Sequence, residues 1–470
     1  MRTFALFLAS ALVRIPFRGQ HIFHDDSYKL AMGVLYTLTA HPPGFIGYCV
    51  LVRLAYFVVA DVNLAFVVVN ALCTGAATAL TYILGRELFD RRVGLIAAIV
   101  YATSLDTSYF AEVALSYAAE GAFATGAALT GWLAVRRRSF GWLLAHSAVL
   151  AIGGSVRQTT FAFLLPLWLW VLWRAVPRWW QRACAALVLA AIVGAWSVPN
   201  GQRLATYWDR GDVGYFASVY KLQVTMEQYY DASRFGAVAY EEAQPRFHWP
   251  LVELGVALRN KIAPPSAGAP REVRIASASN ALRMMRYQTA KVLFYAALAL
   301  GLASVFMLLA LRRCVRATFD ADRRIFLGLW IVPAALFFAL NHFGAWGYLL
   351  IFLAAPAIVA AQTIVVLFTP RGQWFATAAI ALTNVLLFLC MHPLPDTTER
   401  NRLLNVALLQ YAAPSIRMHY ARARSSAFSG DPRQLPIDCL TDECLENGIA
   451  RAFMLPPELK PVKPLSAQEQ

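Results

Sequence analysis

Acidic side chains are scarce in this 470-residue chain: 27 Asp and Glu stand against 42 Lys and Arg, and charged residues of both signs make up only 15% of it. Soluble domains carry roughly 25%, so a soluble globule with a charged surface is excluded, and so are disordered chains and coiled coils. Cysteine is also sparse, with seven residues, which excludes a small disulfide-built scaffold. Five of them (Cys49, Cys73, Cys184, Cys314, Cys390) lie in or beside apolar stretches and read as small core residues. Cys439 and Cys444 lie in a polar tail, where an oxidising compartment could join them. There is no strand, Gly-rich turn and helix order of the kind that holds a nucleotide. Internal repeats at a fixed period are missing as well, which counts against inverted-repeat transporters. Neither a His-x-x-x-His nor a carboxylate–His helix pair occurs. No metal ligand is therefore assigned and no cofactor is fixed, a divalent metal being left open.

What the chain has in abundance is long apolar runs. They fall near residues 3–18, 62–85, 93–110, 114–135, 140–156, 159–175, 183–199, 290–311, 325–341, 346–369 and 373–392. Each is near the length that crosses a roughly 30 Å hydrocarbon layer. The expected fold class is an all-α polytopic membrane protein with about 11 transmembrane helices. A further run, 43–60, carries Arg53 in its middle, and a cation at the centre of a lipid-facing helix costs at least ~2.5 kcal/mol. If 43–60 does not cross, 16 basic residues in the short connections and at Arg2 fall on one side against four acidic ones (Glu87, Asp90, Asp320, Asp322). Short-loop Lys and Arg mark the cytoplasmic face. The run 43–60 therefore reads as a helix lying in the outer interface, with the amino terminus inside and the carboxyl terminus outside. The same bias accounts for the net charge of +15, so no nucleic-acid partner is expected. The first run gives about 24 Å of helix, with Arg14 and Arg18 placed to snorkel at its outer end. A cleaved signal peptide, with Ala9-Ser10-Ala11 as its small residues, is the competing reading.

These spans divide the chain into a membrane module at 1–199, a large outer loop at 200–289, carboxyl-terminal helices at 290–392 and an extracytoplasmic tail at 393–470. The first outer loop, 19–61, holds the densest chemistry: His24-Asp25-Asp26-Ser27-Tyr28, then His41-Pro42-Pro43-Gly44. Two adjacent carboxylates repel, which raises the pKa of one and suits it to take a proton from a hydroxyl. Asp26-Ser27 could equally start an interfacial helix over 28–39 as its cap. Glu112 lies at the outer mouth of a hairpin, at a depth where an ionisable group is usually paired or functional, although a first-turn position on the following helix would favour it too. Arg157 is the only basic residue of its short outward turn, and a lipid phosphate is the anion at that depth. His342 and Tyr348 flank another outward turn whose Trp346 and Tyr348 could also be interfacial anchors.

Taken in order, these pieces resemble the GT-C superfamily of membrane glycosyltransferases, which includes protein O-mannosyltransferases, aminoarabinose transferases of lipid A and bacterial family-39-like enzymes. The resemblance covers roughly residues 1–175: the acidic pair, the x-Pro-Pro motif, Leu84-Gly85-Arg86-Glu87-Leu88-Phe89-Asp90-Arg91-Arg92 at a cytoplasmic turn, Glu112 with Tyr117, and Arg157 before an apolar run. Two departures stand out. Many relatives have Lys before Pro-Pro where this chain has His41, and Tyr28 comes two residues after Asp26 where relatives space it by three.

The resemblance implies a GT-C fold with interfacial helices in the first outer loop and a sugar donor carried on polyprenyl phosphate within the membrane. The acceptor would be the hydroxyl of an extracytoplasmic glycan, lipid or protein, reached from the outer face of a bacterial inner membrane. It assigns Asp25, Asp26 and Glu112 to catalysis, by inverting displacement. It implies that Arg157 and His41 meet the lipid phosphate, while His24, His342 and Tyr348 are substrate-binding candidates by their place in the outer segments. The alternatives are an O-antigen polymerase or ligase, which would work through Arg234, Arg246, Arg271 and Arg274, and a flippase of lipid-linked sugars.

Overall fold

Short polar side chains begin the helices wherever the chain turns back. The Asp61 carboxylate accepts from the Leu64 amide at 2.8 Å, Asp90 from those of Arg92 and Val93 at 2.7 and 3.0 Å, and Asp320 from that of Arg323 at 2.8 Å. Each satisfies amides that a helix start leaves open. The computed structural model describes residues 2–14, 25–35, 44–209, 250–266, 274, 276–341 and 345–391. Within these the chain forms α1 (Arg2–Leu12), α2 (Asp25–Leu35), α3 (Ile46–Val59), α4 (Val62–Leu88), α5 (Arg91–Thr103), α6 (Leu105–Phe110), α7 (Tyr117–Arg137), α8 (Phe140–Val156), α9 (Gln158–Ala175) and α10 (Trp179–Asp209). Beyond them lie α11 (Pro250–Ile262), α12 (Ala278–Leu300), α13 (Ala303–Leu309), α14 (Arg313–Arg316), α15 (Ala321–Leu340), a 3₁₀ turn (Trp346–Ile351), α16 (Ala354–Leu367) and α17 (Pro370–Met391).

Among the described helices, four are long and apolar enough to cross a membrane by length and composition: Val62–Leu88, Trp179–Gln202, Ala321–Leu340 and Pro370–Leu389. A fifth crossing arises if α12 and α13, bent by 114° at their junction, count as one. The expected eleven crossings are thus not all present as single helices, and the breaks have local causes. The run 93–110 is divided at Ser104, whose hydroxyl caps α6 and bonds Thr107 Oγ1 at 2.7 Å. The run 290–311 is divided at Gly301, whose φ of +54° and ψ of −132° belong to a region open essentially to glycine alone. The run 346–369 begins as the 3₁₀ turn before α16.

Helix α4 packs against α1, α3, α5 and α7. Small residues allow the close approach: a Cβ on Gly85 would meet the Gly94 Cα of α5 at 2.8 Å, and one on Gly75 would meet the Phe7 carbonyl of α1 at 2.7 Å. The arginine clusters at 86–92, 136–138 and 174–182 gather at one end of these helices, where Arg136 pairs with Glu87 at 2.9 Å. The opposite end carries the connections 104–116 and 156–158. Helix α10 leaves Leu187 and Val198 exposed, an apolar face that lipid would cover.

Two arginines find backbone carbonyl partners. Arg14, expected to snorkel outward, is buried at 3% exposure and turns inward, donating to the Ala102 carbonyl at the end of α5 and to Ser10. The open carbonyls of a helix terminus are a better partner than a distant interface. Arg53 owes its place in an apolar run to another helix end: it donates to the Val34 and Gly33 carbonyls of α2 at 2.8 and 2.6 Å. Helix α2 is described over Asp25–Leu35 and so begins before the expected 28–39, whose residues 36–39 lie outside the described residues. Cys439 and Cys444 lie outside the described residues, as do the whole tail from 392 and residues 210–249 of the large loop.

Candidate functional site

The end of the bundle away from the arginine clusters is assembled by connections that grip one another. After α6, residues 111–116 run without regular structure, and their backbone is held from two other helices. Asn70 of α4 donates from Nδ2 to the Val113 and Leu115 carbonyls at 2.7 and 3.0 Å. Tyr48 of α3 donates to the Leu115 carbonyl at 2.9 Å and lies 3.0 Å from Asn70 Oδ1. Asn70 and Tyr48 are fully buried, where a net of satisfied polar groups fixes one geometry. That geometry carries Glu112.

Glu112 is 3% exposed, and burial pushes its carboxyl well above the usual carboxylate range, with the Arg14 charge pulling the other way. A carboxyl displaced in this direction is a candidate for proton transfer. Six residues earlier in the same connection, Asp106 is fully buried, and neither of its carboxylate oxygens has a hydrogen-bond partner among the described residues. Asp106 was not among the residues singled out from sequence. The available signal was its place at the second position of a Ser-capped turn inside an apolar run.

Arg157 stands where the other connections meet. It sits between α8 and α9, and its guanidinium lies over three rings: Tyr117 at 4.3 Å, Tyr348 at 4.8 Å and Phe45 at 5.4 Å. These rings come from the start of α7, the 346–351 turn and the entry to α3. Cation–π contacts of this kind strengthen when water is excluded. Nε donates to Thr159 Oγ1 at 3.2 Å and Nη1 to Ser116 Oγ at 3.1 Å, and Nε lies 3.1 Å from Glu120 Oε2 as an ion pair. Gln158 donates to the Gly44 carbonyl, directly after the Pro-Pro motif. A Cβ on Gly47 would collide with Ser155, so α3 can meet the α8–α9 turn only through a glycine.

The structure thus brings Arg157 and Tyr348 together and places Glu112 on the adjoining connection, whose last residues, Ser116 and then Tyr117, touch Arg157. Asp25 and Asp26 form the first turn of α2, as expected for a helix start, and their side chains lie outside what the structure describes. His24, His41 and His342 also fall outside the described residues. Glu120, which sequence reading did not single out as a site residue, pairs with Arg157, and α7 supplies it one turn after Ser116. Among the described residues, no group of three His, Cys, Asp or Glu side chains is placed to hold a metal ion.

Residues 40–200 match the family described as dolichyl-phosphate-mannose-protein mannosyltransferase. That span holds Phe45, Glu112, Tyr117, Glu120 and Arg157. No curated protein matches the chain. Among solved structures, ArnT from Cupriavidus metallidurans in the apo state is similar with a TM-score of 0.48 and 12% identity, over 96% of this chain and 76% of that one. The same protein bound to undecaprenyl phosphate gives 0.47 and 12%, with the same coverage. The Archaeoglobus fulgidus oligosaccharyltransferase in the apo form gives 0.45 and 13%, over 99% of this chain and 61% of that one. With TM-scores this low the structural likenesses carry no argument, and what stands is that residues 40–200, about a third of the chain, are similar to that mannosyltransferase family.

Proposed function

We propose that this multi-pass glycosyltransferase moves a hexosyl or pentosyl group to an extracytoplasmic glycan, lipid or protein hydroxyl, with its active site on the outer face of a bacterial inner membrane. The donor is a polyprenyl-phosphate sugar, which a site at the membrane end of the bundle can receive from the bilayer. In one displacement the acceptor oxygen bonds to the anomeric carbon and the carbon–phosphate-oxygen bond breaks. Its electron pair leaves with polyprenyl phosphate, and the acceptor proton passes to Asp25 or Asp26. Glu112 assists as the second acid, and the anomeric centre inverts. Arg157 faces the departing phosphate through charge-assisted hydrogen bonds, with His41 beside it. His24, His342 and Tyr348 hold the sugar and acceptor. The working units are 1–199 as the catalytic membrane module, 200–289 and 393–470 as outer segments that recognise the acceptor, and 290–392 as supporting helices.

One observation carries this reading: the entry to α3, the connection 104–117, the α8–α9 turn and the 346–351 turn all close on Arg157. Four separate parts of the chain gather there around one buried cation. The test is sugar transfer in proteoliposomes from synthetic undecaprenyl-phosphate hexoses and pentoses. The double variant Asp25→Asn, Asp26→Asn should lose roughly 10²- to 10⁴-fold in rate, the usual range for a general base. Undiminished transfer by that variant would remove the acidic pair from catalysis.

A further inference from the structure

Arg157 is an unusual phosphate ligand because so little of it is open. Its side chain is 10% exposed and that of Glu120 is 1%. Rings of Tyr117, Tyr348 and Phe45 lie against its guanidinium, so an anion can reach it only edge-on, in its own plane. Paired with Glu120, moreover, the cation contributes little long-range attraction, since the two charges nearly cancel at a distance. What remains is directed hydrogen bonding, and its strength depends on the angle at which the guanidinium is held.

That angle is set from the Nε edge. Glu120 Oε2 meets Nε at 3.1 Å, and the other oxygen, Oε1, accepts from Thr159. Thr159 Oγ1 in turn lies 3.2 Å from Arg157 Nε. The three side chains close a ring across two elements, with Glu120 on α7 and Thr159 on α9, so neither helix can turn without swinging the guanidinium. Resting on the reading that Arg157 faces the donor phosphate, we propose that Glu120 is the positioning residue of this site. It touches no substrate itself, and it aims the open edge of Arg157 at the phosphate.

The probe is undecaprenyl phosphate bound to the full chain in nanodiscs, with undecaprenol, the same tail without the phosphate, as its comparison. A merely structural role would weaken both lipids together, whereas loss of aim weakens only the phosphate. The ratio of the two dissociation constants should fall about tenfold in Glu120→Gln, which keeps the shape and removes the charge-assisted bond. Glu120→Asp should recover most of it, and Thr159→Val should lose about threefold. If Arg157→Lys loses the preference while Glu120→Gln and Thr159→Val keep it, Glu120 has no positioning role. If Arg157→Lys itself keeps the preference, Arg157 does not face the phosphate, and the underlying reading fails with the inference. Should Glu120→Gln not fold, Thr159→Val decides: an unchanged ratio overturns the proposal and a reduced one supports it.

Discussion

The two ends of the helix bundle use the same ionic chemistry in opposite surroundings. At the arginine-rich end, Arg136–Glu87 and Arg174–Asp322 pair at 2.9 and 3.2 Å with both arginine side chains more than half exposed. At the other end, Arg157 and Glu120 pair at 3.1 Å almost without exposure. Exposed pairs trade water for a partner of similar worth and contribute about 0–1 kcal/mol. A buried pair gains little when formed, yet strands a charge when one member is removed. The first end is therefore tolerant, while the second is intolerant and sets geometry.

This contrast can be broken by unfolding measurements in detergent micelles. Arg157→Ala should destabilise the chain most, by roughly 3–5 kcal/mol, because Glu120 is left buried without its cation. A cost under ~1 kcal/mol would show that water already reaches the pair. Next comes Asn70→Ala, which releases the Val113 and Leu115 carbonyls; a loss of about 1–3 kcal/mol is expected, together with reduced sugar transfer as Glu112 shifts. The pH response is smaller. Burial raises Glu112 above its ordinary value of 4.5, so above that pH the native chain keeps a proton that the unfolded chain has released. Stability should then fall as pH rises from about 4.5 toward the native pKa, by at most ~1.4 kcal/mol per unit for this group. Glu112→Gln should flatten that part of the slope, and an unaltered slope would assign it to other groups. Least of all, Arg174→Ala should cost under ~1 kcal/mol, and a larger loss would erase the distinction between the two ends.

Much of this arrangement could be read from the sequence. The apolar runs located α4, α7, α8, α9, α15 and α17 to within a few residues, since length and hydropathy act locally. Arg157 and Glu112 stood out because a charge beside an apolar run is costly and needs a reason. Their partners could not be read. Arg14 meets Ala102, 88 residues away, and Tyr48 meets Leu115, 67 residues away. Nothing in a linear pattern states which distant helix end lacks a donor. Breaks inside apolar runs were missed for the opposite reason. Ser104 and Gly301 are single residues whose effect depends on backbone angles, and an averaged hydropathy smooths them over.

One glycine bears on how the two halves of the chain can be exchanged. At Gly347 a Cβ would stand 2.6 Å from both the Phe110 and the Tyr117 rings, so the 346–351 turn enters the amino-terminal helices through a slot that admits a hydrogen and no methyl group. A chimaera joining these amino-terminal helices to the carboxyl-terminal half of a relative could bring Tyr348 against Arg157 only if the donor sequence also has glycine there, or if both rings were trimmed to match.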